Sequence, residues 1–199
     1  MARTIGSSGV ETEARLRQAA LGLFARSGYA AVSMREIAGE VGVGAGAVYN
    51  YFPTKQDILA ALMRGHLEGL IADWEREARS ADAPAEALRR FVRFHIRYHL
   101  QRADAVFISY MELRSLEPEN FAVVEALRRR YEGYLRAILE EGRRSCAFAI
   151  DDTPIATMAI IAMLNGLTTW YRSSGRLALE EIEGIYIGMV ARSVGLREN

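Results

Sequence analysis

The chain has 199 residues, with 25 basic and 25 acidic side chains and a formal net charge of zero. That length holds one large domain or two small ones with a real core, and neutrality argues against a surface coated along its length by nucleic acid. The single cysteine, Cys146, excludes a disulfide framework within the chain and suits a reducing compartment.

Residues 1–10 (MARTIGSSGV) are rich in Gly and Ser and read as a mobile arm, with Arg3 the one side chain that could enter a minor groove. The spacing predicts a first helix over 11–27, with Leu16, Ala20, Leu23 and Phe24 on one face and Gly28 just past its end. A second helix begins at Ser33, a good N-cap with Glu36 three residues on, and carries Ile37, Ala38 and Val41 on its apolar stripe. Gly42 supplies the left-handed residue that ends it. A third short helix follows, with Val48 and Phe52 facing inward and Pro53 closing it. Two short helices joined by a glycine turn are a helix-turn-helix. By spacing alone the pair is as well explained by a plain helical hairpin of an all-α core as by a DNA reader.

The face left outside would hold Ala45, Gly46, Tyr49 and Asn50, small enough at its start for backbone to come close to a groove floor. Tyr49 and Tyr51 add hydroxyl donors suited to phosphate oxygens, and Lys55, the only lysine in the chain, adds a charge. Residues 1–55 hold six basic side chains against four acidic ones, a mild local excess.

Residues 12–62 resemble the N-terminal domain of the TetR family of transcriptional repressors. The likeness runs through AALGLFARSGY, the S-x-x-x-I-A of the second helix, the V-Y-x-Y-F of the third and the T-K-x-D-I-L opening the fourth. The resemblance implies base reading by Ala45, Gly46 and Tyr49. It implies phosphate contacts from Ser33, Tyr49, Tyr51 and Lys55, with Arg35 a further base reader. Many members start the third helix with Ser and a polar or basic residue, where this chain has Gly44 and Ala45. Direct hydrogen-bond readout is therefore thin, and Arg35 is expected to carry an unusual share of it.

The rest of the chain reads as helical. A helix over 54–79 opens on Thr54 and Asp57 and, at about 1.5 Å per residue, spans roughly 37 Å, a natural lever. Helices are predicted over 84–101, 103–116 and 119–144, the last arginine-rich but interleaved with glutamates, as in a solvated face. The segment 154–173 is apolar nearly all round and is expected to be buried on all sides. With 178–194 it is expected to form a four-helix seam between two copies of the chain. Such a homodimer would set two recognition helices roughly 34–36 Å apart, one turn of DNA.

Tyr98, His99, Phe107, Tyr110, Met111, Met163 and Trp170, with Phe94, supply candidates for an effector pocket, although such stripes are usually core. His95 and His99 at i, i+4 with Glu112 could be read as metal ligands, but core or pocket histidines explain them better. No metal site and no cofactor are expected. Cys146, on a loop, reads as an inert thiol. No Ser/His/Asp arrangement or carboxylate pair suggests an enzyme. No apolar leader opens the chain, and no apolar run reaches the ~18–20 residues of a membrane span. The expected location is the cytoplasm.

Residues 97–116 and 166–182 are similar to a subgroup of TetR regulators that control fatty-acid or steroid catabolism and leave DNA on binding an acyl-CoA thioester. An acyl-CoA would need an apolar tunnel and arginines near its phosphates, for which Arg93, Arg97, Arg102 and Arg172 are available. A regulator of drug efflux with a promiscuous pocket is the alternative, and a small helical enzyme using the aromatic pocket is a remote one. The expectation is therefore an all-α protein of about nine helices. Residues 1–56 would form the DNA-binding domain and 57–199 a ligand-binding and dimerisation domain. It would act as a ligand-responsive repressor on a palindromic operator.

Overall fold

The computed structural model describes residues 5–196, and among them the secondary structure is helical with no strand. The chain divides into two compact units that do not follow a boundary at residue 56. The first runs to His66 and includes Asp104–Glu125, and the second comprises Leu67–Ala103 and the chain from Ala126 on.

In the first unit, α1 spans Ile5–Ser27, six residues longer at its start than the sequence suggests. Residues 5–10 are therefore helix and not a mobile arm; Arg3 lies outside the described residues. Gly and Ser cost up to ~1 kcal/mol each in a helix, but extending a formed helix needs no new nucleus and nothing in IGSSGV blocks it. Gly28, at φ 80°, ends α1 with its N–H on the Phe24 carbonyl at 2.9 Å.

The next helices are α2 (Met34–Val41) and α3 (Ala45–Tyr49), followed by α4 (Lys55–Glu77), whose first twelve residues belong to this unit. The unit also holds nearly all of α6 (Ala103–Met111), a 3-10 turn at Leu113–Ser115, and the start of α7 (Pro118–Arg144). Leu16, Ala20, Phe24, Ile37, Val48, Phe52, Ile58 and Leu59 form its core, all 4 % exposed or less. Of the inward stripes predicted for the first three helices, Leu16, Ala20, Phe24, Ile37, Ala38, Val41, Val48 and Phe52 are buried, and Leu23 is half-buried.

The second unit holds the remainder of α4 and α7 with α5 (Pro84–Leu100), α8 (Thr153–Asn165), α9 (Leu167–Trp170) and α10 (Leu179–Ser193). The single helix expected over 154–173 is interrupted at Gly166 and stops at Trp170. Thr168 and Thr169 give their hydroxyls to the carbonyls of Asn165 and Gly166 at 2.9 and 2.8 Å, competing with the helical ladder.

Nor is α8 buried on all sides. Ile155 and Met158 are 69 % and 55 % exposed, and Ala159 and Ala162 continue the same outer face at helical spacing. Thr153, Thr157, Ile160, Ile161 and Leu164 face inward. With apolar side chains on both faces and threonines on the inner one, the sequence carries no signal for which face meets this chain.

The interior of this unit is an aromatic chain. Trp74 meets Phe91 edge-on at 5.0 Å, Phe91 stacks on Tyr131 at 5.3 Å, and His95 stacks flat on His99 at 3.8 Å. Among the described residues no helix is long and apolar enough to cross a membrane.

Candidate nucleic-acid interface and arginine-lined groove

The helix pair is closed by hydrogen bonds between near neighbours in sequence. Ser33 accepts the Glu36 N–H at 3.2 Å, and the Glu36 carboxylate accepts both the Ser33 N–H and its hydroxyl at 2.7 Å, a full capping box. Those hydrogen bonds hold the Glu36 carboxyl below its ordinary pKa. Gly42 sits at φ 76°, ψ 31°, and the Val43 N–H reaches back to the Ala38 carbonyl at 3.0 Å, closing the turn. Arg15, on α1, donates to the Val41 carbonyl at 2.7 Å and caps the same helix end from outside. Val48 is fully buried, so the remaining face of α3 is turned out.

On that face Gly46, Tyr49 and Asn50 are exposed and Ala45 is half-buried, with Tyr49 at 53 %, and Arg35 of α2 is exposed as well. The guanidinium of Arg35 makes no ion pair among the described residues. A Cβ added at Gly44 or Gly46 would meet nothing within 4 Å. Three other candidates are partly committed inside the protein. The Ser33 hydroxyl proton goes to Glu36. Tyr51 is half-buried, with its hydroxyl 3.9 Å from where a Cβ on Gly9 would sit.

Lys55 differs most from its expected role. Its ammonium donates to the carbonyls of Tyr29, Ala30 and Val32 at 2.8, 3.4 and 2.7 Å and lies 4.3 Å from the Tyr29 ring centre. Three donors on three carbonyls use its whole capacity, so it braces the loop between α1 and α2. Its neighbour Gln56, which the sequence did not single out, is buried and bonded on both poles of its amide. An amide 59 residues from its partner leaves no mark in local spacing.

The seven candidates for an effector pocket do not share a unit. Phe107, Tyr110 and Met111 lie in the first, 43, 38 and 56 % exposed. Tyr98 and His99 are buried in the second, where Met163 is half-buried and Trp170 is 53 % exposed. His95 is bonded through Nδ1 to the Tyr131 hydroxyl at 3.1 Å and through Nε2 to Asn165 Oδ1 at 3.0 Å. The amide oxygen can only accept, so Nε2 donates to it, and the buried ring is bonded on both nitrogens inside the core. His99 bonds the His95 carbonyl through Nδ1 at 2.9 Å. Glu112 is spent on the Tyr29 N–H and the Ser115 hydroxyl. Among the described residues no group of three His, Cys, Asp or Glu could hold a metal ion.

Within the second unit, α4 and α5 enclose a groove of about 270 Å³ lined by Arg90, Arg93, Arg97 and Arg102, with Phe94 and Tyr98 beside them and Asp73 and Glu77 opposite. Arg97 forms a two-pronged pair with Glu183 of α10, at 2.5 and 2.9 Å, and Arg93 approaches the same carboxylate at 3.7 Å. Glu183 is 3 % exposed, and its hydrogen bonds raise the Arg97 pKa above its ordinary value. The Arg102 guanidinium lies 3.9 Å over the Tyr98 ring, and burial pushes the Tyr98 phenol up. Three of the four arginines expected near phosphates thus share this groove. Arg172 does not; it donates to the Tyr171 carbonyl.

Comparison with known proteins places both halves. Residues 16–62 match the bacterial regulatory proteins of the tetR family, and residues 81–194 match the tetracyclin repressor-like C-terminal domain. The transcriptional repressor KstR2 of Rhodococcus jostii is 26 % identical over 94 % of this chain and 92 % of its own. A tetR-family regulatory protein from Rhodococcus RHA1 superposes with a TM-score of 0.89 at 28 % identity, covering 94 % of this chain and 98 % of that one. AibR, solved with isovaleryl coenzyme A and operator DNA, shares the fold with a TM-score of 0.80 at 22 % identity, over 94 % of this chain and all of that one.

Proposed function

The chain belongs to the TetR family of transcriptional regulators, and on that premise we propose that it is a cytoplasmic repressor. It binds a palindromic operator as a homodimer and is released by a small effector of the acyl-CoA class. The observation that carries the reading is the outward face of α3. A capped, glycine-turned helix pair buries Val48 and Phe52 and presents Tyr49, Asn50 and Arg35 to solvent, the last with no ion pair among the described residues.

The effector class is supported by the groove between α4 and α5, where Arg93, Arg97 and Arg102 stand beside two aromatic rings. Guanidinium groups match phosphate geometry, and the rings offer stacking surface. The fold accommodates such a ligand in AibR, which was solved with isovaleryl coenzyme A and operator DNA. The homodimer is supported by the outer faces of α8 and α10, where Ile155, Met158, Ile185 and Met189 remain 39–69 % exposed. Release needs the effector to favour the unbound geometry by the usual coupling of about 1–3 kcal/mol. The chain acts by binding, without turnover.

The test begins with a duplex selected by the purified protein from a random-sequence pool. Arg35→Ala and Tyr49→Ala should each weaken binding to it by about tenfold or more, as loss of a base contact does, with unchanged circular dichroism. Unaltered affinity in both variants discards this interface. Thermal stabilisation by acyl-CoA thioesters, and not by unrelated apolar compounds, separates the proposed effector class from a promiscuous drug sensor.

A further inference from the structure

Within the first unit, the residues around the helix pair are tied to a distant stretch of chain through one side chain. Gln56 lies in the first turn of α4 and is 9 % exposed. Its Nε2 donates to the Ser115 carbonyl at 2.6 Å and to the Tyr29 hydroxyl at 3.3 Å. Its Oε1 accepts from the Glu117 N–H at 3.2 Å and from Asn120 Nδ2 at 3.5 Å. A second tie runs parallel to it. Glu112 accepts the Tyr29 N–H at 3.0 Å with one carboxylate oxygen and the Ser115 hydroxyl at 2.8 Å with the other. Tyr29 in turn gives its carbonyl to Lys55.

Residues 112–120 are thereby fastened to Tyr29, just before α2, and to Gln56, just after α3, so that they hold the helix pair at both of its ends. The same stretch is covalently continuous with the second unit on either side, at 103/104 and at 125/126. A rearrangement of the second unit therefore has a route to the DNA reader through these hydrogen bonds, beside the route through α4. Gln56 cannot follow half of such a movement. If residues 115–117 slip, the buried amide loses its shorter bond on each pole at once and keeps only the longer ones, to the Tyr29 hydroxyl at 3.3 Å and Asn120 Nδ2 at 3.5 Å. Two bonds made or lost together suit a switch between two arrangements.

We infer that Gln56 is a positioning residue that couples residues 112–120 to the operator-reading helix pair. The inference rests on the DNA-binding reading above and adds the residue through which that reading is regulated. Coupling is reciprocal, so if this segment biases the reader, DNA must bias the segment.

The test is amide hydrogen exchange on the full-length chain, with and without the duplex selected from a random-sequence pool. In the unsubstituted protein the duplex should slow exchange at Glu117 and across 113–120 by about tenfold, within the usual 5–150-fold range of coupling. In Gln56→Met, which keeps side-chain length and removes the hydrogen bonds, that slowing should vanish while duplex affinity stays within about fivefold. A duplex that binds but leaves 113–120 unchanged in the unsubstituted protein, which needs no variant to fold, overturns the inference. So does equal slowing in Gln56→Met. Failure to select any duplex overturns the DNA-binding reading itself and takes this inference with it.

Discussion

Lys55 and Tyr29 are joined twice: the ammonium donates to the Tyr29 carbonyl at 2.8 Å and lies 4.3 Å over the same residue's ring. The one lysine in the chain is thus a clasp on the turn between α1 and α2, where phosphate contact had been expected of it. Lys55→Met should destabilise the protein by about 1.5–3 kcal/mol, the range for hydrogen bonds to a charged group. Urea unfolding gives the number. Arg at this position should not restore it, because a planar guanidinium cannot reach three carbonyls converging on one nitrogen.

Glu36 ties stability to pH with a defined sign. Its carboxyl is held below the ordinary value of 4.5 by hydrogen bonds from the Ser33 hydroxyl and backbone N–H. The carboxylate binds fewer protons folded than unfolded, so its contribution is complete above the unfolded pKa and is lost as pH falls through the folded one. The stability difference between the unsubstituted protein and Glu36→Ala should therefore be flat near neutrality and shrink in acid. Chemical unfolding at a series of pH values checks it, and a gap that widens on acidification contradicts the assignment.

Two glycines should respond to alanine in opposite directions. A Cβ on Gly142 would sit 1.9 Å from Phe148 Cδ2, and the Phe148 ring is 4 % exposed and cannot step aside. Gly142→Ala should cost about 1–3 kcal/mol, lowering Tm by roughly 2–4 °C per kcal/mol in a chain this long. Gly46, helical with open space at its Cβ, should gain up to ~0.5–1 kcal/mol as Ala. If α3 lies against a groove floor, the same methyl should weaken operator binding. Calorimetry and a gel shift on one preparation read both effects.

Arg97 and Glu183 hold α5 to α10 through a fork in which the carboxylate is buried and the guanidinium is half in solvent. Arg97→Ala leaves that carboxylate with Arg93 alone, at 3.7 Å. The expected loss is about 2 kcal/mol, less than for a fully buried pair because water reaches the exposed partner. Substituting both residues with apolar ones of similar volume should recover most of it. A double-mutant cycle in urea measures the coupling.

Ile155→Arg, on the outer face of α8, should leave the fold intact, since this residue is 69 % exposed. In the homodimer proposed here it would bury a charge in an apolar seam and shift the protein to monomer. Sedimentation reads the mass, and operator affinity should fall with it.

The helical class, the capping box at Ser33 and Glu36, the turn at Gly42 and the inward stripe of Val48 and Phe52 were all legible in the sequence. Each depends on residues within a turn or two of one another, and local spacing encodes such contacts directly. The tertiary structure alone decided what Lys55, Gln56, Glu112 and Glu183 do. Apart from Ser115 beside Glu112, their partners lie 23 to 90 residues away, and a polar side chain takes its role from whichever group the fold brings within reach. The same holds for α8, whose apolar residues on both faces do not say which face packs into this chain. Nor could spacing tell that residues 104–125 would join the unit carrying the helix pair, since that membership is fixed by packing and by hydrogen bonds such as those of Gln56.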